Sequence, residues 1–245
     1  MRIAAVLAFA VALVLSRGAS GQGEPQPGEN YVETIPGTTV TFEMIWVPEG
    51  RFWIGKTEVT WDEFEVWYFK KDLPPGADAA TRPSPAYEPP DQGWGRKRRP
   101  AIKLSRHAAR SYGVWLSEVT GRAYRLPTGA EWELACGPMP EDVSRFAWTA
   151  ANSDSRTHEV ATREPNALGI HDMLGNVCEY VEDDWSEDDP VPAIRGGAWN
   201  TPEVARETRA RYDEAWNARD PQRPRSVWWV CDGSFLGFRL ARSAP

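Results

Sequence analysis

Asp172, Gly175, Val177 and Glu179 lie within eight residues of one another, in the stretch Asp172-Met173-Leu174-Gly175-Asn176-Val177-Cys178-Glu179. The run is too irregular for a helix or a strand. Two carboxylates flank a tight turn whose Gly175 and Val177 carbonyls can point inward. Calcium, a hard cation, favours several oxygen ligands of this kind, so these four residues are the candidate metal site. The same residues also allow an Asp-stabilised turn with Glu179 paired to an arginine. Sequence leaves both arrangements open.

Other reactive side chains are sparse. Cys136, Cys178 and Cys231 never form Cys-x-x-Cys, which argues against a zinc or thioredoxin-like site. At most one disulfide can form within a chain, and sequence does not choose the pair; three small buried side chains are the alternative. His107, His158 and His171 lack the spacing of a metal site and read as surface or packing residues. No Ser-His-Asp or Cys-His set can be assembled. Arg96-Lys97-Arg98-Arg99 could meet an anionic partner, but reads first as a solvated loop segment. The acidic run Glu182 to Asp189 also reads as solvent-facing.

The elements that must position these groups can be read from periodicity and caps. Thr38 to Val47 alternates, predicting a half-buried strand with Val40, Phe42, Met44 and Trp46 on one face. A turn at Pro48-Glu49-Gly50 leads to a second strand, Arg51 to Gly55. Thr60 and Glu63 have capping-box spacing and open a helix to about Lys70. Seven prolines between Pro74 and Pro100 predict a long surface loop. Ser105 caps a second helix carrying Ala108, Tyr112, Trp115, Leu116 and Val119, which Gly121 ends. A second capping box, Thr128 to Glu131, opens a short helix ending at Gly137. Beyond it come turns, glycines and brief strands, so the fold class is α+β. The 13 tryptophans are expected mainly in the core.

Residues 1–20 have the form of a secretory signal: Arg2, an apolar run from Ile3 to Leu15, then small residues near Gly18 to Ser20. The run is short for a bilayer span, and export to the periplasm or outside is expected, with no membrane span after signal removal. Residues 21–37 read as a flexible tether and 38–245 as one domain. Losing Arg2 and Arg17 with the signal takes the net charge from −7 to −9. That acidity argues against nucleic acid as the main partner.

Several blocks, in order, resemble the formylglycine-generating enzyme (sulfatase-modifying factor) family. They are Glu58-Val59-Thr60, Ala101 to Ser105 with Trp115 to Ser117, Arg125 to Glu133, Pro165 to Tyr180, Arg195-Gly196-Gly197-Ala198-Trp199 and Gly237-Phe238-Arg239. The resemblance spans Phe42 to Arg239 and implies a C-type-lectin-like fold with two or three short helices and sparse, loop-rich β structure. It also implies structural calcium on the side chains of Asp172 and Glu179 and the carbonyls of Gly175 and Val177. A second family calcium position would involve Asn152 and Ser153, beside a shortened loop.

The departures bear on activity. Family oxidases carry Cys-x4-Cys just after the Gly-Gly-Ser-Trp block, whereas Thr201 to Arg211 contains no cysteine. Thiolates bind soft Cu(I), so copper is not expected. The implied function is recognition of a protein or peptide, without formylglycine-generating activity. Two alternatives are a maturation oxidase using acids or His171, with Asp183 and Glu214 clustered beside it, and calcium-assisted carbohydrate binding on exposed tryptophans.

Overall fold

The computed structural model describes residues 23–68, 89–217 and 231–245. The expected signal at 1–20 and most of the proline-rich loop lie outside these residues. Among the described residues, three α-helices and two four-stranded sheets make the α+β arrangement expected from sequence. The first sheet has the order β1 (Tyr31–Thr34), β2 (Thr41–Val47), β3 (Phe52–Gly55) and β8 (Ala241–Ser243), antiparallel throughout. The second runs β6 (Arg209–Arg211), β5 (Asp189–Arg195), β4 (Cys178–Ser186) and β7 (Leu236–Gly237), with only the β4–β7 pair parallel.

The helices start where their caps predict. In α1 (Trp61–Tyr68) the Glu63 carboxylate accepts from the Thr60 amide, and the Glu63 amide donates to the Thr60 hydroxyl. In α2 (Arg106–Thr120) the Ser105 hydroxyl accepts from Ala108 N, and Gly121 closes the helix in the left-handed region. In α3 (Gly129–Cys136) Thr128 and Glu131 complete the second capping box. These exchanges satisfy amides that a helix start otherwise leaves open.

Two expectations need correction. The strand read as half-buried keeps a solvent face only at its start, where Thr41 and Glu43 are exposed. Further along that face Ile45 and Val47 are buried in one core cluster with Trp132 of α3, while Met44 on the other face is buried in a cluster with residues of α1 and α2. Alternation reports only one face of a strand, so a sandwiched strand is misread. The tether over 21–37 is also too long. Tyr31–Thr34 pairs with β2, Ile35 is buried, Arg122 donates to the Gly23 carbonyl and Trp53 Nε1 to the Glu29 carbonyl. None of the eleven described tryptophans is exposed, in keeping with their expected packing role. The glycine-rich turns entering β4 and leaving β5 meet the segment before β8, and there the candidate residues gather.

Candidate functional site

Arg239, on the segment entering β8, is fully buried and reaches Glu179 on β4. Its Nε and Nη2 donate to the two carboxylate oxygens at 2.7 and 2.6 Å, and Trp132 Nε1 donates to the same carboxylate at 2.8 Å. The rest of the guanidinium serves the carbonyls of Gly55, His171 and Asp172 at 3.0–3.1 Å. One arginine therefore ties β3, the central turn, β4 and the entry to β8 together. Arg239 is thus a buried residue that satisfies loop carbonyls as well as a carboxylate. Arg195 differs: its guanidinium pairs with Glu133 at 2.8 Å and fills the space above Gly129.

The turn between Asp172 and Val177 has a demanding backbone. Asp172 and Asn176 have φ of 55° and 52°, and Gly175 has 76°. A Cβ on Gly175 would fall into the Trp148 carbonyl, so only glycine fits. Left-handed non-glycine residues cost energy and persist where the surroundings hold them. Asn176 is held by His158 N, which donates to its Oδ1 at 2.9 Å, and by Glu58, which accepts from its Nδ2 at 3.0 Å. Glu58 also accepts from Val177 N at 3.2 Å. Sequence reading placed Glu58 in a family block but missed this clamp.

Three carboxylates, of Glu58, Asp172 and Glu179, thus share one buried guanidinium. Burial, then Asp172 and Glu179, push the Glu58 carboxyl well above its usual range, and burial pushes Asp172 up to about 6. Asp172 Oδ2 accepts from Ala161 N at 2.7 Å, but its Oδ1 is buried without a hydrogen-bond partner.

This cluster fits the expected calcium ligands only in part. The excess of carboxylates and the orphaned Asp172 Oδ1 suit a cation. Glu179 does not, because both its oxygens are engaged by Arg239. Among the described residues no group of three or more His, Cys, Asp or Glu side chains converges on a metal position.

The stretch that differs from the family oxidases follows β5. Thr201 Oγ1 accepts from Ala198 N at 2.9 Å, and Thr208 Oγ1 accepts from Ala205 N at 2.7 Å, closing two turns with hydroxyls. Val204 packs into the core, and Arg206 N donates to the Met139 sulfur at 3.1 Å. The three cysteines are separate from this stretch in sequence, buried and unpaired with one another. Burial pushes each thiol up to about 12, far from thiolate at neutral pH.

Beyond Met139 opens a cavity of about 360 Å³, a size typical of the smaller ligand pockets. Leu134, Met139, Phe146, Leu168, Ile170 and Met173 supply its apolar wall. Its back is held by Asn166, which donates to the Ala135 and Cys136 carbonyls and accepts from Leu168 N and Ile170 N. Sequence reading missed this pocket, because apart from Leu134 of α3 its lining comes from turns without periodicity.

Other candidates are accounted for locally. His171 contacts the Arg163 carbonyl through Nδ1, while Asp183 caps Gly129 N on another element. The side chain of Glu214 lies outside the description, so the proposed triad is not assembled by the described residues. In the basic cluster, Arg96 binds Glu65, Arg98 the Val160 carbonyl and Arg99 the Thr157 carbonyl. Three of its four cations therefore hold structure. The acidic run forms the β4–β5 hairpin, with Glu182 paired to Arg110, Asp184 to Arg106 and Asp189 to Arg211.

A sequence profile of the sulfatase-modifying factor enzyme 1-like domain matches residues 22–244. The chain is 25% identical over 182 residues to the formylglycine-generating enzyme of Thermomonospora curvata, covering 64% of the chain and 50% of that enzyme. It is 27% identical over 169 residues to the inactive C-alpha-formylglycine-generating enzyme 2 of Bos taurus, covering 59% and 50%. A 97-residue segment, 30% identical to the serine/threonine-protein kinase pkn1 of Chlamydia pneumoniae, covers 36% of the chain and 14% of the kinase. The chain thus spans half or less of these relatives. Among solved structures, Treponema denticola variable protein 1 superposes with a TM-score of 0.63 at 20% identity, covering 89% of this chain and all of that one. PvdO from Pseudomonas aeruginosa superposes at 0.57 and 23% identity, covering 89% and 92%. These two likenesses show a shared fold, consistent with the expected C-type-lectin-like arrangement. With the profile matching nearly the whole described chain, the protein belongs to the sulfatase-modifying factor enzyme 1-like domain family.

Proposed function

We propose that this chain is an exported member of its family that recognises a protein or peptide and lacks formylglycine-generating activity. The observation that carries the reading is the stretch after Trp199. Threonine hydroxyls close its turns, no thiol is present, and the cysteines elsewhere are buried and protonated. Cu(I) chemistry needs soft thiolate ligands, and this stretch has none to offer. The scaffold around it is intact, from the Glu179–Arg239 pair to the Asn176 clamp. A rigid base bearing variable turns suits recognition.

The calcium expectation becomes narrower. We propose that a structural calcium ion would be held by Asp172 Oδ1 and the Gly175 and Val177 carbonyls, with Glu179 left to Arg239. It would supply positive charge among carboxylates that one arginine does not balance.

Selection from a displayed random-peptide library, followed by mass spectrometry of the recovered peptides, tests the recognition reading. Enrichment of a defined sequence class with every recovered cysteine unchanged is expected. Failure to enrich any class, or recovery of peptides bearing formylglycine, would overturn it.

A further inference from the structure

The pocket beside Met139 has features that specify an occupant. Leu134 and Met139, each 37% exposed, are two of only four exposed large apolar side chains among the described residues, and both line it. Concentrated exposed apolar surface marks interaction sites more reliably than scattered residues do. Its wall is pre-formed, since the hydrogen bonds of the Asn166 side chain face inward, donated to the α3 carbonyls of Ala135 and Cys136 and accepted from Leu168 N and Ile170 N of its own loop.

Charge gives the second specification. Among the described residues, every charged one that lines the pocket is acidic: Glu49, Glu164 and Asp172. Asp172 is buried in the arginine cluster, and Glu164 is neutralised by Arg145 at 2.7 Å. Glu49 is exposed and makes no described hydrogen bond or ion pair. A partner entering this pocket therefore meets an apolar wall and one free carboxylate at its edge.

We propose that the pocket receives one bulky aliphatic or aromatic side chain of a polypeptide partner, with an adjacent lysine or arginine placed against Glu49. The cavity of about 360 Å³ has room for one large side chain. This rests on the recognition reading above and names the chemistry of its partner. The Arg206 amide contact with the Met139 sulfur makes the pocket continuous with the cysteine-free stretch.

Three dye-labelled peptides in a Gly-Ser frame test the proposal, with cores Lys-Phe-Lys, Glu-Phe-Glu and Lys-Ser-Lys. Binding is read by NMR shift titration of the full chain. Lys-Phe-Lys is expected to bind about 10-fold tighter than either other core, the order of change that a lost apolar anchor or a reversed rim charge produces. Leu134→Ser should abolish the preference for Phe over Ser. Glu49→Gln should remove the preference for Lys over Glu and leave that for Phe. Val114→Ser, on the exposed face of α2, should change nothing. Equal affinity for the three cores, or indifference to Leu134→Ser, would overturn the pocket assignment. So would occupancy by a free long-chain alcohol with no response to any peptide. If library-selected peptides still bind the Leu134→Ser variant at full strength, the pocket assignment fails and the recognition reading stands. If neither these peptides nor the library gives binding, both fail.

Discussion

Arg239 and Glu179 form a two-bond ion pair in which neither side chain is more than 1% exposed, and the two residues come from segments 60 positions apart. The pair lies between the two sheets and fixes the turn that carries Asp172. Removing one member of a buried pair leaves the other charge without solvent, at a cost of about 3–5 kcal/mol. Arg239→Met should therefore lower unfolding free energy by that amount in urea titration. The double variant Arg239→Met with Glu179→Gln should recover only part of the loss, because the Glu179 charge goes with its partner while Asp172 and Glu58 still lack the guanidinium. A single-variant loss under about 1 kcal/mol would show that water reaches the pair.

Gly175 gives a second prediction. Its backbone is left-handed, and a Cβ would enter the Trp148 carbonyl. Gly175→Ala should cost at least about 2–3 kcal/mol, combining backbone strain with the displaced contact. Gly93, equally left-handed but with open space around it, provides the control. Gly93→Ala should cost only about 1 kcal/mol, the strain contribution alone. Thermal unfolding of the two variants in parallel decides between them.

Glu63 makes stability depend on pH. Burial pushes its carboxyl up to about 7 from a usual 4.5. Between those values the folded state binds more protons than the unfolded state, so stability falls as pH rises through the window. Below about 4.5 the contribution is fully present, and above about 7 it is lost. Glu63→Gln keeps an acceptor for the Thr60 amide and removes the titration. Its stability should decline less between pH 4.5 and 7, by on the order of 2–3 kcal/mol. Asp172 shifts in the same direction, so some slope should remain in the variant. Identical pH profiles for the two proteins would contradict the assignment.

The narrower calcium proposal predicts that millimolar calcium raises the melting temperature at neutral pH and that a chelator reverses the rise. Saturation at 100-fold over the dissociation constant would be worth about 2.7 kcal/mol. Asp172→Asn should remove the response while keeping the hydrogen bond from Ala161 N. Glu179→Ala is a poorer probe, since it strands Arg239 whether or not a metal binds. Equal responses in the native protein and Asp172→Asn would end the proposal.

Local signals in the sequence carried the fold a long way. Thr60 with Glu63, Ser105 with Gly121, and Thr128 with Glu131 each mark a helix end through side chains next to it, and each sits where expected. The α+β class followed from their spacing. Features made by distant residues were harder to read. Ile45 and Val47 occupy the face of β2 opposite Met44, and nothing local says that α3 covers them. Tyr31–Thr34 looked like tether because proline and glycine surround it, yet pairing with β2 makes it a strand. At the site, Asp172 and Glu179 were legible as paired acids. That Arg239 would claim Glu179 was visible only as one of two arrangements, because the partner lies 60 residues away. Glu58 and the pocket at Leu134 and Met139 carried no periodic or spacing signal at all.

The central claim is that the scaffold has persisted without thiol oxidation. The most direct test compares the native protein with the Cys136→Ala, Cys178→Ala, Cys231→Ala triple variant. Each is incubated with copper, oxygen, a thiol reductant and a sulfatase-type cysteine peptide, and aldehyde formation is read by mass spectrometry. Our account predicts that the peptide cysteine persists with both proteins, at the level of the protein-free control. Aldehyde formed by the native protein and not by the triple variant would contradict it.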